Sequence, residues 1–282
     1  MNRFHKSSIL LFFSIFLISI FNLKAQIGEW ENLLQNNTLN NFIQLNGDAD
    51  FLLKDGLLIG ISKLNTPNSF LATKKYYADF ILEFDVLIDF GLNSGIQFRS
   101  ESLKSYLDGR VHGYQCEIET SSRKWAGGIY DEARRGWLYP LTRNQLGQEA
   151  FVNGTWNSFR IEAIGNTIKT FVNSIEVSSL VDEMTTERFI AFQVHSISNF
   201  EDEGKQVRWK NVRILTKNLE NHRIIAPNKA LQISYLDGQL TEQERRLGFR
   251  MLWDGKSTKG WRGVKRTDFP EKGWSIKDGI LT

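Results

Sequence analysis

Between residues 50 and 215 apolar side chains return at every second position, and no long amphipathic helix breaks the run. Phe80, Leu82, Phe84, Val86 and Ile88 follow this period, as do Ile96 and Phe98, and then Tyr114, Cys116 and Ile118. A β-strand turns successive side chains to opposite faces, so the pattern predicts one half-buried strand after another. Further strands are expected at "NSFRIEAIG", "NTIKTFVN", "FIAFQVH" and "QVRWKNVRIL", parted by Gly, Asn and Ser turns. "LLKDGLLIG" reads as a hairpin with Asp55-Gly56 at its turn, because both residue types tolerate the left-handed backbone that a tight hairpin demands. Many short strands without crossover helices predict an all-β fold, an antiparallel β-sandwich or jelly roll.

Residues 1–25 differ in kind: Arg3 and Lys6 precede a continuous apolar run from Ile9. This is the pattern of a secretory signal peptide with Ala25 as the last residue before cleavage, and it predicts an exported protein, periplasmic or extracellular. A membrane anchor fits less well, because only about 15 residues separate Ile9 from Lys24 and roughly 20 are needed to span. No Cys follows the run to carry a lipid. Arg3, Lys6 and Lys24, with no acid beside them, account for the whole formal charge of +3. The mature chain is therefore close to neutral and offers no electrostatic handle to nucleic acid or to an anionic membrane. Neutral polymers or small uncharged molecules are the easier partners. Cys116 has no second cysteine to pair with, so stability must come from the core.

The expected organisation is a sandwich domain over 26–217, a linker with a short helix over 218–248, and a further piece over 249–282. Thr241 with Glu244 three residues later makes a capping box for the short helix, and Gly248 would stop it. The last piece repeats the first: "LLQNNTLNNF" lies over "LWDGKSTKGW", and "FLLKDGLL" over "WSIKDGIL", in the same order. The reading is a second copy of the domain that stops after its first hairpin, as in a fragment of a longer protein.

The stretches "NSGIQFR" (93–99), "HGYQCEIE" (112–119), "GGIYDEARRGWL" (127–138), "WNSFRIEAIGN", "FIAFQVHS" and the late "LWDGKSTKGWRG" together resemble the 3-keto-disaccharide hydrolase family. The resemblance implies a concanavalin-A-like sandwich, of the lectin and glucanase type, whose concave face binds sugar. It also implies cleavage of glycosides already oxidised to a ketone at C3, by a lyase or hydrolase route. Cys116 departs from the usual aliphatic or aromatic core residue, and Glu119 and Thr120 stand where an Asp and a Pro are expected.

Strand parity sorts candidate residues without the resemblance. If Ile96 and Phe98 face the core, Gln97 and Arg99 face away; if Tyr114, Cys116 and Ile118 face in, Gln115, Glu117 and Glu119 face out. In "FIAFQVHS" the same rule turns Gln193 and His195 outward. Most outward polar residues on a strand are merely solvated, so a site requires these strands to be neighbours. Elimination across C1 and C2 of a 3-keto-sugar needs a base for the acidified C2 proton, a cation or donor for the enolate, and an acid for the departing oxygen. His195 or Glu117 would be the base, Arg99 the enolate partner, and Glu119 a further ligand or base. Gln97, Gln115 and Gln193 would bind substrate, with Tyr130, Asp131, Glu132, Arg134, Arg135 and Trp137 from a closing loop. Flat indoles such as Trp125 and Trp137 are surfaces on which sugar faces stack. A divalent metal as Lewis acid stays open as a cofactor, although no HxH or HExxH spacing occurs. Two rival readings also stay open. One is a non-catalytic carbohydrate-binding module. The other is a conventional glycoside hydrolase using Glu117 and Glu119, two apart on one strand and about 6 to 7 Å apart in space.

Overall fold

The alternating segments become strands of two stacked sheets in the computed structural model, which describes residues 30–236 and 238–282. The expected signal segment lies outside the described residues. One sheet has nine strands: β1 (Trp30–Asn32), β3 (Asp50–Lys54), β4 (Leu57–Ile61), β6 (Phe80–Ile88), β11 (Asn157–Ile164), β12 (Thr167–Val172), β13 (Ile175–Val181), β15 (Gln206–Leu215) and β16 (Gln232–Ser234). The other has seven: β2 (Phe42–Asn46), β5 (Ser69–Thr73), β7 (Asn93–Glu101), β8 (His112–Glu119), β9 (Ile129–Glu132), β10 (Gly136–Tyr139) and β14 (Phe189–Val194). The nine-stranded order is β16-β13-β12-β11-β6-β15-β4-β3 with β1 also on β15, and the seven-stranded order is β10-β9-β8-β7-β14-β5-β2. Ladders within both sheets are antiparallel apart from the pair β13 and β16, which is parallel.

The core lies between the sheets and is built by the predicted period. Phe80, Leu82, Phe84, Val86 and Ile88 of β6 share one buried cluster with Ile96, Phe98, Tyr114, Cys116, Ile118, Ile190, Phe192 and Val194 from the facing sheet. Cys116 is a free thiol fully inside this core. Because the inward set is fixed by parity, the alternate residues of β7, β8 and β14 are delivered together to the outer face of the seven-stranded sheet.

The Asp55-Gly56 hairpin forms as expected, with Lys54 paired to Leu57 and both turn residues left-handed (φ 52° and 73°). A second hairpin of the same kind joins β17 (Ile276–Lys277) to β18 (Ile280–Leu281), where Asp278 and Gly279 have φ 50° and 76°. The repeated sequence thus adopts the same turn twice. Residues 218–248 carry the short helix, Glu242–Arg246, closed by the Thr241–Glu244 capping box. They are also bonded to the sandwich: Ile224 N donates to Glu162, and Ala230 N to Glu176, two carboxylates buried on the nine-stranded sheet.

Candidate functional site

A cleft of about 760 Å³ opens on the outer face of the seven-stranded sheet. Its floor follows from register. Gln97 pairs with Gln115, Gln115 with Tyr130, and Tyr130 with Trp137, so one row of side chains crosses β7, β8, β9 and β10 on one face. The adjacent row runs from Gln193 through Gly95 to Glu117. Gly95 is required there, because a Cβ at that position would lie 2.5 Å from Cγ and Cδ of Gln115. Its missing side chain lets Gln115 lean across to Glu117.

Glu117 is the most constrained group in the cleft. It is 3% exposed, and its carboxylate accepts from Asn93 Nδ2 (2.5 Å), Gln115 Nε2 (2.9 Å) and Arg123 (3.3 Å). Burial disfavours the charged form and outweighs the donors from Asn93 and Gln115 and the charge of Arg123, while Glu119 adds repulsion; the carboxyl is pushed up to about 7. Behind it, Gln97 Nε2 donates to Gln115 Oε1 (2.5 Å), so the amide dipoles of both glutamines are aligned toward the carboxylate.

An aromatic wall stands beside Glu117. Trp137 meets Tyr130 edge-on (centroids 5.1 Å) and Trp125 (4.8 Å), and the Arg123 guanidinium lies over both indoles at 4.6 and 4.8 Å. Arg123 reaches this place because Glu119 organises its turn, accepting from Ser121, Arg123 and Trp125 N. The cleft is also lined by His195 and by the pair Arg110–Glu132 (3.3 Å). His195 Nδ1 sits 2.7 Å from Ser196 O; a carbonyl can only accept, so Nδ1 carries the proton and Nε2 of the neutral ring keeps its lone pair. Burial raises the Glu132 carboxyl above its ordinary value, against the pull of Arg110 and of a charged His195.

Six of the expected residues therefore line the cleft: Gln115, Glu117, Tyr130, Glu132, Trp137 and His195. Others do not, and each has a physical reason. Arg99 sits at a β-bulge, where the β7–β8 register shifts between Phe98 and Glu101 and φ of Arg99 is 46°. One extra residue reverses parity. Its guanidinium is buried and donates to Ala78 O, Gly165 O, Ala163 O and Asp79, bridging to the other sheet. Asp131 pairs with Tyr114 and so faces inward, where Arg134 and Arg135 hold it at 2.7 and 2.5 Å; Arg135 also binds Asp182. These charges brace the loop from behind. Glu119 builds the Arg123 turn outside the cleft, and Gln97 lies beneath Gln115. Gln193 is fully buried, and its amide has no hydrogen-bond partner among the described residues.

Parity extended by one step would have found Asn93, which shares its face with Gly95 and Gln97. Arg110 and Arg123 come from turns, where no period exists to announce them. Among the described residues no group of three or more His, Cys, Asp or Glu side chains gathers as metal ligands would.

Residues 18–215 match the 3-keto-alpha-glucoside-1,2-lyase-like domain family. No curated protein sequence matches the chain. Among solved structures, a protein from Parabacteroides distasonis described as a candidate glycosyl hydrolase is 16% identical over 69% of this chain and 97% of its own, with a TM-score of 0.49. The carbohydrate binding module CBM66 of Bacillus subtilis is 17% identical over 64% and 97%, with a TM-score of 0.42. The Bacillus licheniformis β-glucanase is 9% identical over 67% and 97%, with a TM-score of 0.41.

Proposed function

The chain belongs to the 3-keto-alpha-glucoside-1,2-lyase-like family, and from that premise we propose that it cleaves 3-keto-glycosides in the cleft beside Glu117. The observation that carries this reading is a buried carboxyl poised at about 7 next to an aromatic wall in a polar cleft. A base that titrates near neutrality is what C2 deprotonation requires, and uncharged sugar rings are what such a wall stacks on.

In the proposed reaction Glu117 takes the C2 proton, and the electrons of that bond form the enolate of the C3 ketone. Arg123, the guanidinium beside Glu117, faces the enolate charge in the part first expected of Arg99. The C3 carbonyl then reforms, a C1–C2 double bond appears, and the bond from C1 to the glycosidic oxygen breaks. His195 in its protonated form, with Nδ1–H committed to Ser196 O, gives its Nε2 proton to the departing oxygen. Addition of water across the double bond completes a net hydrolysis. The signal-like residues 1–25 support export as the setting for this activity.

The test is the release of 4-nitrophenol from both anomers of 4-nitrophenyl 3-keto-glucoside. The acid limb of kcat/KM, where Glu117 loses its proton, is expected at about pH 7. Glu117→Gln should lower kcat by roughly 100-fold or more on this substrate, and His195→Ala by as much on methyl 3-keto-glucoside, whose alkoxide leaving group needs the proton that 4-nitrophenolate does not, with release of the free 3-keto-sugar as the readout. Undiminished turnover in both variants defeats these roles; binding without any turnover by the wild type makes the protein a sugar-binding module instead.

A further inference from the structure

The aromatic wall is held from outside the sandwich. Trp137 is carried by β10, an edge strand of four residues whose sole ladder partner among the described residues is β9, with a register shift right after Trp137. Such a strand has little of its own to fix the tilt of an indole. Residues 231–235 supply the missing restraint through two reciprocal bonds: Tyr139 Oη donates to Leu231 O (2.8 Å), and Tyr235 Oη donates to Leu138 O (3.1 Å). The acceptor and donor of β10 that they engage belong to the two residues directly after Trp137. Tyr139 and Leu138 are both buried, so each of these polar groups would otherwise lack a partner in the interior.

The restraining segment is itself anchored to the other sheet. β16 runs parallel to β13, Tyr235 N donates to Val181 O (2.9 Å), and Ala230 N to Glu176. The Tyr235 ring also lies near the Arg135 guanidinium (5.8 Å), which is pinned by Asp131 and Asp182. The segment thus spans the open end of the sandwich, with one grip on each sheet.

We propose that Tyr139 and Tyr235 are positioning residues, which act through β10 to set Trp137 against the sugar; this rests on the reading of the cleft as a sugar site. Substrate affinity then depends on a segment that follows the sandwich in sequence.

A double-mutant cycle tests this. KM and kcat on 4-nitrophenyl 3-keto-glucosides, with affinity also read by titration calorimetry, are compared for wild type, Tyr235→Phe, Tyr139→Phe, Trp137→Ala and the double variant Tyr235→Phe with Trp137→Ala. Each Tyr→Phe change keeps the ring and removes one donor. The expected result is a KM raised roughly three- to tenfold with kcat held within about twofold, the equilibrium effect of one ordinary hydrogen bond. Adding Tyr235→Phe to Trp137→Ala should then change nothing more, because the wall on which it acts is gone. A bracing role without positioning would lower the melting temperature and leave KM unmoved, which overturns the proposal. So does a KM increase that persists in the Trp137→Ala background. If Trp137→Ala binds sugar normally, the wall and this proposal fall together; if Trp137→Ala weakens binding and both Tyr→Phe variants do not, the proposal falls alone. Binding without turnover defeats the catalytic reading and still decides this one by calorimetry, and no binding by the wild type overturns both.

Discussion

Replacing Glu117 by Gln should make the protein inactive and, above neutral pH, more stable. The carboxyl rises from an ordinary 4.5 to about 7 in the folded protein, with burial as the main cause. A group whose folded value is raised binds its proton more tightly when folded, so its contribution is fully present below about pH 4.5 and is lost as pH climbs through about 7. That interval corresponds to about 3 kcal/mol at about 1.4 kcal/mol per pH unit, the free energy spent in holding a carboxylate in the cleft. Glu117→Gln removes this dependence. It also places an amide N–H₂ among donors from Asn93, Gln115 and Arg123, a loss of about 1 to 2 kcal/mol that does not vary with pH. Urea unfolding at pH 5, 6, 7 and 8 separates the two effects. The stability of the variant minus that of the wild type should grow by about 2 to 3 kcal/mol from pH 5 to pH 8, whatever its starting sign. A difference that stays flat would refute the raised ionisation of Glu117, and one that shrinks would mean the carboxylate is favoured by the fold.

Arg99→Met should lower the melting temperature by several degrees, since four acceptors on the nine-stranded sheet lose the donor that ties them to β7, while KM of the folded protein changes less than about twofold. Equal losses in KM and stability would return Arg99 to the substrate. Gly95→Ala should cut activity by about tenfold or more with little effect on folding, because the new Cβ, 2.5 Å from Gln115 Cγ, displaces the side chain that donates to Glu117. The pH–activity limb should move upward at the same time, as the carboxylate loses a donor; an unchanged limb would remove Gln115 from the site.

Period two in the sequence was enough to define the sandwich and the partition of its side chains, because a strand alternates faces whatever lies beside it. Ile96, Phe98, Tyr114, Cys116, Ile118, Phe192 and Val194 all enter the core on that rule, and Gln115 and Glu117 emerge on the other face. The Asp55-Gly56 turn and the Thr241–Glu244 cap were equally legible, since their geometry depends on residues within four positions of one another. The rule failed where the backbone departs from it. A bulge at Arg99 sends a predicted site cation into a structural bridge, and the turn after β9 carries Arg134 and Arg135 behind the wall to Asp131, which its register with Tyr114 faces inward. Adjacency is also beyond a pattern: the order β9-β8-β7-β14 that gathers Glu117, His195 and Tyr130 follows from how the two sheets pack. Arg123 and Arg110 lie in turns without a period, and Tyr235 reaches β10 across 97 residues of chain. Local sequence sets which way each side chain faces within a strand; long-range packing alone decides which faces meet, and with them the ionisation of Glu117 and the cation beside it.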